Sequence, residues 1–146
     1  MKTTTDHVYH GIALAQIVQY QAFKALNRAD SLYGHYVVND KIRLFVKYAT
    51  RRVPPWSFTF RPRDWTAIKA DIHSGAKTFA ILVCGDKTVC CLDQQELSEL
   101  LNFTARGARG ITVTTKPRSS LTVRGGGTRK LPRQVPHDAF PQKIFG

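Results

Sequence analysis

The run KTFAILVCG, Lys77–Gly85, restricts the fold of this chain more than any other stretch. From Phe79 onward it is apolar at every position, so a strand built from it offers no face to water. Such a strand belongs inside a sheet with a packed layer on each side. That predicts an α/β (α+β) domain with a mixed central sheet flanked by helices. A length of 146 residues, with 42% hydrophobic and 10% aromatic residues, suits one domain with a real core.

Residues around this strand supply the remaining elements. Residues 10–28 (HGIALAQIVQYQAFKALNR) contain no proline and many good helix formers, and they read as a helix with Asp6 as its N-cap. Strands are expected at 35–39 (HYVVN), 42–50 (IRLFVKYAT) and 56–60 (WSFTF), with Asn39-Asp40-Lys41 as turn material. Pro62 opens a second helix, closed by Gly75. Residues 88–92 (TVCCL) form the hairpin partner of the apolar strand. Asp93 then caps a third helix, with Glu96 at the capping-box position.

From Thr104 the composition turns to Gly, Thr, Ser and Arg. Ile111, Val113 and Thr115 alternate, as do Leu121 and Val123, around Lys116-Pro117-Arg118-Ser119. This reads as a basic C-terminal β-ribbon with a proline turn at its tip, a shape that fits the DNA major groove. The final PHDAFPQKIF is apolar enough to dock on the body. The expected organisation is thus a single domain, with an α/β core over 1–103 and a basic ribbon and packed tail over 104–146.

Charge selects the partner. The chain carries 22 Lys and Arg against 10 Asp and Glu, a formal +12. Residues 100–146 hold nine basic residues and one acid, Asp138, so two thirds of the excess lies in the last third of the chain. Such asymmetry is the footprint of a polyanion binder, here DNA or structured RNA. The expected phosphate contacts are Arg106, Arg109, Lys116, Arg118, Arg124, Arg129, Lys130 and Arg133. Arg51, Arg52, Arg61 and Arg63 flank the strand WSFTF and form a second patch. Trp56, Phe58 and Phe60 on that strand read as core packing, with base stacking as the alternative.

Other classes are disfavoured. No apolar run approaches the ~20 residues that span a bilayer. The N-terminal MKTTTDHVYH is polar where a secretion signal is apolar, so the expected location is cytoplasmic, without membrane association. Cys84, Cys90 and Cys91 are an odd set in strand-like runs, and they read as reduced, buried small residues rather than zinc ligands. His7 and His10 are three apart at a helix start, near enough to share a metal or a phosphate, while His35, His73 and His137 are scattered.

The order helix, three strands, helix, strand, strand, helix resembles the core of the PD-(D/E)XK superfamily, the restriction-endonuclease-like fold. The resemblance runs over residues 10–101. In that family an acidic residue near one strand and an acid-x-Lys triplet on the next bind magnesium and orient water. The matching strand here reads Leu44-Phe45-Val46-Lys47, with Asp40 at the preceding turn. Lys47 fits the family lysine. Phe45 stands where the family has Asp or Glu, and strand alternation places both on one face. Gln16, Gln19 and Gln21 stand in the first helix, where some members have Glu. The resemblance therefore implies a catalytically degenerate nuclease-like domain that retains a binding surface and needs no cofactor.

Two further readings stay open. One is an active nuclease, either magnesium-dependent through Asp40 and Lys47 or a histidine-based ribonuclease. The other is a small protein-interaction module or inhibitor from a phage or mobile element, docking on an acidic protein surface. A homodimer is compatible with either.

Overall fold

In the computed structural model, which describes residues 2–104, 106–115 and 120–146, the chain opens with helix α1 (Thr5–Gln19). Strands β1 (Leu26–Arg28), β2 (His35–Val38), β3 (Ile42–Ala49) and β4 (Trp56–Phe60) precede helix α2 (Pro62–His73). Then come β5 (Lys77–Cys84), β6 (Thr88–Asp93), α3 (Gln94–Leu100), β7 (Arg109–Thr115), β8 (Leu121–Arg124) and the short α4 (Gln142–Phe145).

The first helix begins and ends earlier than its composition suggests. Thr4 is the N-cap in place of Asp6: its hydroxyl accepts from His7 N at 3.4 Å, and its own N–H donates to His7 Nδ1 at 3.1 Å. Asp6 lies in the first turn and accepts a hydrogen bond from the Tyr48 hydroxyl at 2.7 Å. The helix stops at Gln19, and residues 26–28 pair with β2 instead of continuing it. Asn39 holds this change of course. Its side chain accepts from Lys24 N at 2.7 Å and Ala25 N at 3.1 Å, and donates to Ala22 O at 2.9 Å. Helix propensity is worth only tenths of a kcal/mol per residue, so a sheet edge with matching hydrogen bonds overrides it.

The mixed sheet runs β1-β2-β3-β5-β6. Strands β3 and β5 are parallel, from Ile42 opposite Lys77 to Ala49 opposite Cys84; the other neighbours are antiparallel. The crossover between them carries β4 and α2, and β4 belongs to a different sheet, ordered β4-β7-β8. The ribbon expected from residues 111–123 is therefore not free-standing. Its strands complete a three-stranded sheet whose inner face, with Ile111, Val113, Leu121 and Val123, is fully buried.

β5 lies inside the large sheet, as its apolar run requires. Ala80, Leu82 and Cys84 pack with Ile68 of α2, Leu97 of α3 and the second sheet. Ile81 and Val83 face Ala13 and Ile17 of α1 together with Phe140 and Ile144 of the tail. The C-terminal segment thus docks on the body, and Lys143 Nζ ties it to Cys91 O at 2.8 Å and Glu96 Oε1 at 2.7 Å. All three cysteines are buried and unbridged, Cys84 and Cys90 on one face and Cys91 on the other. Burial pushes the Cys84 and Cys91 thiols up to about 12 and Cys90 well above its ordinary value. Gly85 closes the β5–β6 turn at φ +55°, where a Cβ would lie 2.4 Å from Arg51 O, so only glycine fits. Among the described residues, no helix is long and apolar enough to cross a membrane.

Candidate nucleic-acid interface

The second sheet decides where the basic residues meet. β4 ends at Phe60 opposite Arg109, the first residue of β7, and β8 ends at Arg124 opposite Thr112. A bridge between Arg124 and Lys130 folds the following turn back onto the same end. Arg61, Arg106, Arg109 and Arg129 therefore lie toward this end, with Arg124 and Lys130 level with Thr112 and Ser57, three residues along the strands. Arg63 stands beside them in the first turn of α2. The outer face of the sheet carries Ser57, Thr59, Thr112, Thr114 and Thr122, and none of its three strands contains a carboxylate.

Four of the acids are paired with other side chains. Asp64 accepts from Lys47 Nζ at 2.7 Å, and Glu96 pairs with Lys143 at 2.7 Å. Asp30 and Asp71 flank His35, at 2.9 Å from Nδ1 and 2.6 Å from Nε2, and Arg43 lies 3.8 Å from Asp71. Among the described residues, Arg61, Arg63, Arg106, Arg124, Arg129 and Lys130 make no ion pair.

Other expected contacts fall outside this cluster. Arg109 is half-buried and serves the fold: its guanidinium donates to the carbonyls of Arg106 at 2.7 Å, Ala108 at 2.9 Å, Gly107 at 3.1 Å and Asn102 at 3.3 Å. It also lies 5.9 Å over the Trp65 ring, whose Nε1 donates to Gly107 O at 2.9 Å. Arg51 and Arg52 are exposed at the opposite end of β4 from Arg61 and Arg63, so the four do not form one patch. Arg133 shares a depression with Asp93, Glu96 and Glu99, an acidic neighbourhood. Lys116 and Arg118 lie outside the described residues. Trp56, Phe58 and Phe60 are core residues, at most 3% exposed, which removes them as a stacking surface.

Asp40 and Lys47 are not brought together. Asp40 sits in the β2–β3 turn at φ 61°, seven residues before Lys47 along β3, a separation of about 20 Å at strand rise. Phe45 and Lys47 do share a face: Lys47 Nζ lies 5.6 Å over both the Phe45 and Phe60 rings. The acid beside the lysine comes from α2. Asp64 is the third residue of that helix, and its carboxylate also accepts from Arg61 N at 2.9 Å. An acid at this position ordinarily reads as a helix cap, and only the packing of α2 across β3 aims it at Lys47.

Lys47 opens onto a cleft of about 830 Å³ bounded by α1, the β1–β2 turn, β3, β4 and the start of α2. Arg61, Arg63, Tyr33, His10, Asp6 and Asp64 are on its walls. His7 is turned to the helix cap, whereas His10 is buried and hydrogen-bonded through Nδ1 to the Tyr36 hydroxyl at 3.2 Å, so the two do not form a joint site. Burial, with Lys47 and His7 nearby, lowers the His10 pKa against the opposing pull of Asp6. The hydrogen bond to Asp6 and partial burial push Tyr48 up to about 12. Nothing in the sequence marks Tyr33, Tyr48 or Asp64 as neighbours; they meet through three different elements. Among the described residues there is no group of three or more His, Cys, Asp or Glu placed to hold a metal ion. Comparison with protein-family models, curated proteins and solved structures finds no match to this chain.

Proposed function

We propose that this protein binds DNA or structured RNA through phosphate contacts at the cationic end of its second sheet. One observation carries the reading: six cations, Arg61, Arg63, Arg106, Arg124, Arg129 and Lys130, lie from the middle of this sheet to its Arg109 end and make no ion pair among the described residues, beside a hydroxyl-rich face whose strands hold no carboxylate. Unpaired guanidinium groups keep their donors for phosphate oxygens, and serine and threonine hydroxyls are common phosphate partners. On the resemblance of element order to PD-(D/E)XK nucleases, Phe45 would stand at the position of the metal-binding acid while Lys47 remains, which agrees with this reading. The function that follows is binding without cleavage, with no cofactor required.

Equilibrium binding to a labelled duplex across a salt series tests this. Affinity should fall with salt, with a log–log slope of about −0.9 per phosphate neutralised. Arg61→Ala and Arg124→Ala should each flatten that slope by about one, and Lys2→Ala and Lys24→Ala should not. Salt-independent binding, or equal effects of all four, refutes the assignment. A second reading, cleavage, is favoured by Asp6 and Asp64 lining the same cleft as Lys47 and His10. Plasmid and RNA incubated with magnesium and then with chelator separate the two. Magnesium-dependent nicking that is lost in Asp64→Asn establishes the enzyme and removes the binding-only account.

A further inference from the structure

We infer that the cleft at Lys47 receives one unpaired nucleotide, its base laid on Tyr33 and its phosphate held by Arg61 and Arg63. The inference rests on the nucleic-acid reading and adds to it the kind of strand recognised.

Three observations carry it. First, the cleft, at about 830 Å³, lies within the range of small-molecule sites and can accommodate a nucleotide. Second, Tyr33 is 61% exposed, an unusual state for a tyrosine next to a cluster of packed aromatics. Its ring meets His10 at 5.0 Å and 50°, a tilted contact that covers little of it. On the neighbouring wall of the cleft, Tyr9 and Tyr48 are stacked at 5.0 Å and 7°, and the Tyr48 hydroxyl donates to Asp6. An exposed, supported aromatic ring is the platform on which an unstacked base rests, whatever its identity.

Third, the polar groups are placed for the rest of a nucleotide. Arg61 and Arg63 lie on the wall formed by the β4–α2 corner, exposed and without an acid partner among the described residues. Lys47 is neutralised by Asp64 and so adds little net charge. His10 spends Nδ1 on Tyr36, while its Nε2 makes no hydrogen bond among the described residues, which leaves an imidazole edge for a base or sugar hydroxyl. A duplex keeps its base faces stacked inside and presents phosphate, sugar and base edges, none of which lies flat on an aromatic ring. The combination of an open ring and two free guanidinium groups in one recess suits a strand end, a bulge or a single strand.

The test uses the full chain and fluorescence anisotropy with labelled oligothymidylate, oligouridylate and a blunt duplex of matched length, the first two arms separating DNA from RNA. Tyr33→Ala should weaken single-strand binding about tenfold, leave duplex binding unchanged, and be rescued by Tyr33→Trp. Free thymidine or uridine 5′-monophosphate should compete with the single strand. If Tyr33→Ala binds single strands as wild type does and the mononucleotide fails to compete, the inference falls, while salt-dependent duplex binding would leave the wider reading standing. If none of the three probes binds, both fall together. Capture of an acidic peptide in the cleft, displacing no nucleotide, also overturns it.

Discussion

Replacing Lys47 by methionine isolates the energetics of the cleft floor. The Asp64 side chain is 7% exposed and its carboxylate has two donors, Lys47 Nζ at 2.7 Å and Arg61 N at 2.9 Å. Methionine keeps the aliphatic stem against Phe45 and Phe60 and removes the charge, so the carboxylate, little exposed on the cleft wall, retains one backbone donor. Breaking a fully buried ion pair from one side costs about 3–5 kcal/mol. Lys47 is 24% exposed, so water can replace part of what is lost. That discount brings the expected cost to about 2 kcal/mol. For a domain of this length such a loss lowers the melting temperature by roughly 4–8 °C. Chemical denaturation of Lys47→Met, Asp64→Asn and the double variant measures the coupling directly, with about 1–2 kcal/mol expected. A coupling below about 0.3 kcal/mol, or a Lys47→Met protein as stable as wild type, would show that the pair contributes nothing and that the argument from burial is wrong.

The His35 site makes stability depend on pH in a stated direction. Burial opposes its charge, but hydrogen bonds from both ring nitrogens to Asp71 and Asp30 prevail and hold its pKa above 6.5, because a neutral ring has only one N–H for two carboxylates. The stabilisation is fully present below 6.5 and is lost as pH rises through the raised folded value. Urea midpoints should therefore fall over that interval, and Asp30→Asn should shrink the fall; an unchanged difference between the two proteins across pH contradicts it. Arg109→Ala should cost about 1 kcal/mol, since three of the four carbonyls it serves are exposed and water can replace the donor, with little effect on the salt dependence of duplex binding. A flattened salt slope with unchanged stability would assign Arg109 to the ligand instead of the fold.

Much of the architecture is legible along the chain. The apolar run of β5 has one physical solution, burial on both faces, and that alone calls for covering layers on either side of a mixed sheet. Period-two alternation marks β4, β7 and β8, the limits of α2 are readable from Pro62 and Gly75, and the start of α3 from Asp93 and Glu96, which bond within their own turn. The charge asymmetry also belongs to the sequence, as a plain count. What local pattern could not supply was partnership. Residues 26–28 have a helical composition and become a strand because β2 has an open edge and Asn39 ties the approach. β4 follows β3 closely, yet it pairs with β7, some fifty residues later, because its apolar face matches Ile111 and Val113.

The candidate site depended on tertiary structure in the same way. Lys47 was identifiable from its strand, but its acid is Asp64, brought in by the packing of α2 and not by Asp40 nearby in sequence. The sequence pointed to eight basic residues as the main contacts and to Arg51, Arg52, Arg61 and Arg63 as a second patch. Folding set Arg61, Arg63, Arg106, Arg124, Arg129 and Lys130 between the middle of the second sheet and its Arg109 end, spent Arg109 on a loop, and placed Arg133 beside acids. Secondary structure and net charge follow from residues within a few positions of each other. The cleft arises where α1, the β1–β2 turn, β3, β4 and α2 converge, and which side chains face each other there is decided only by the register and packing of the whole chain.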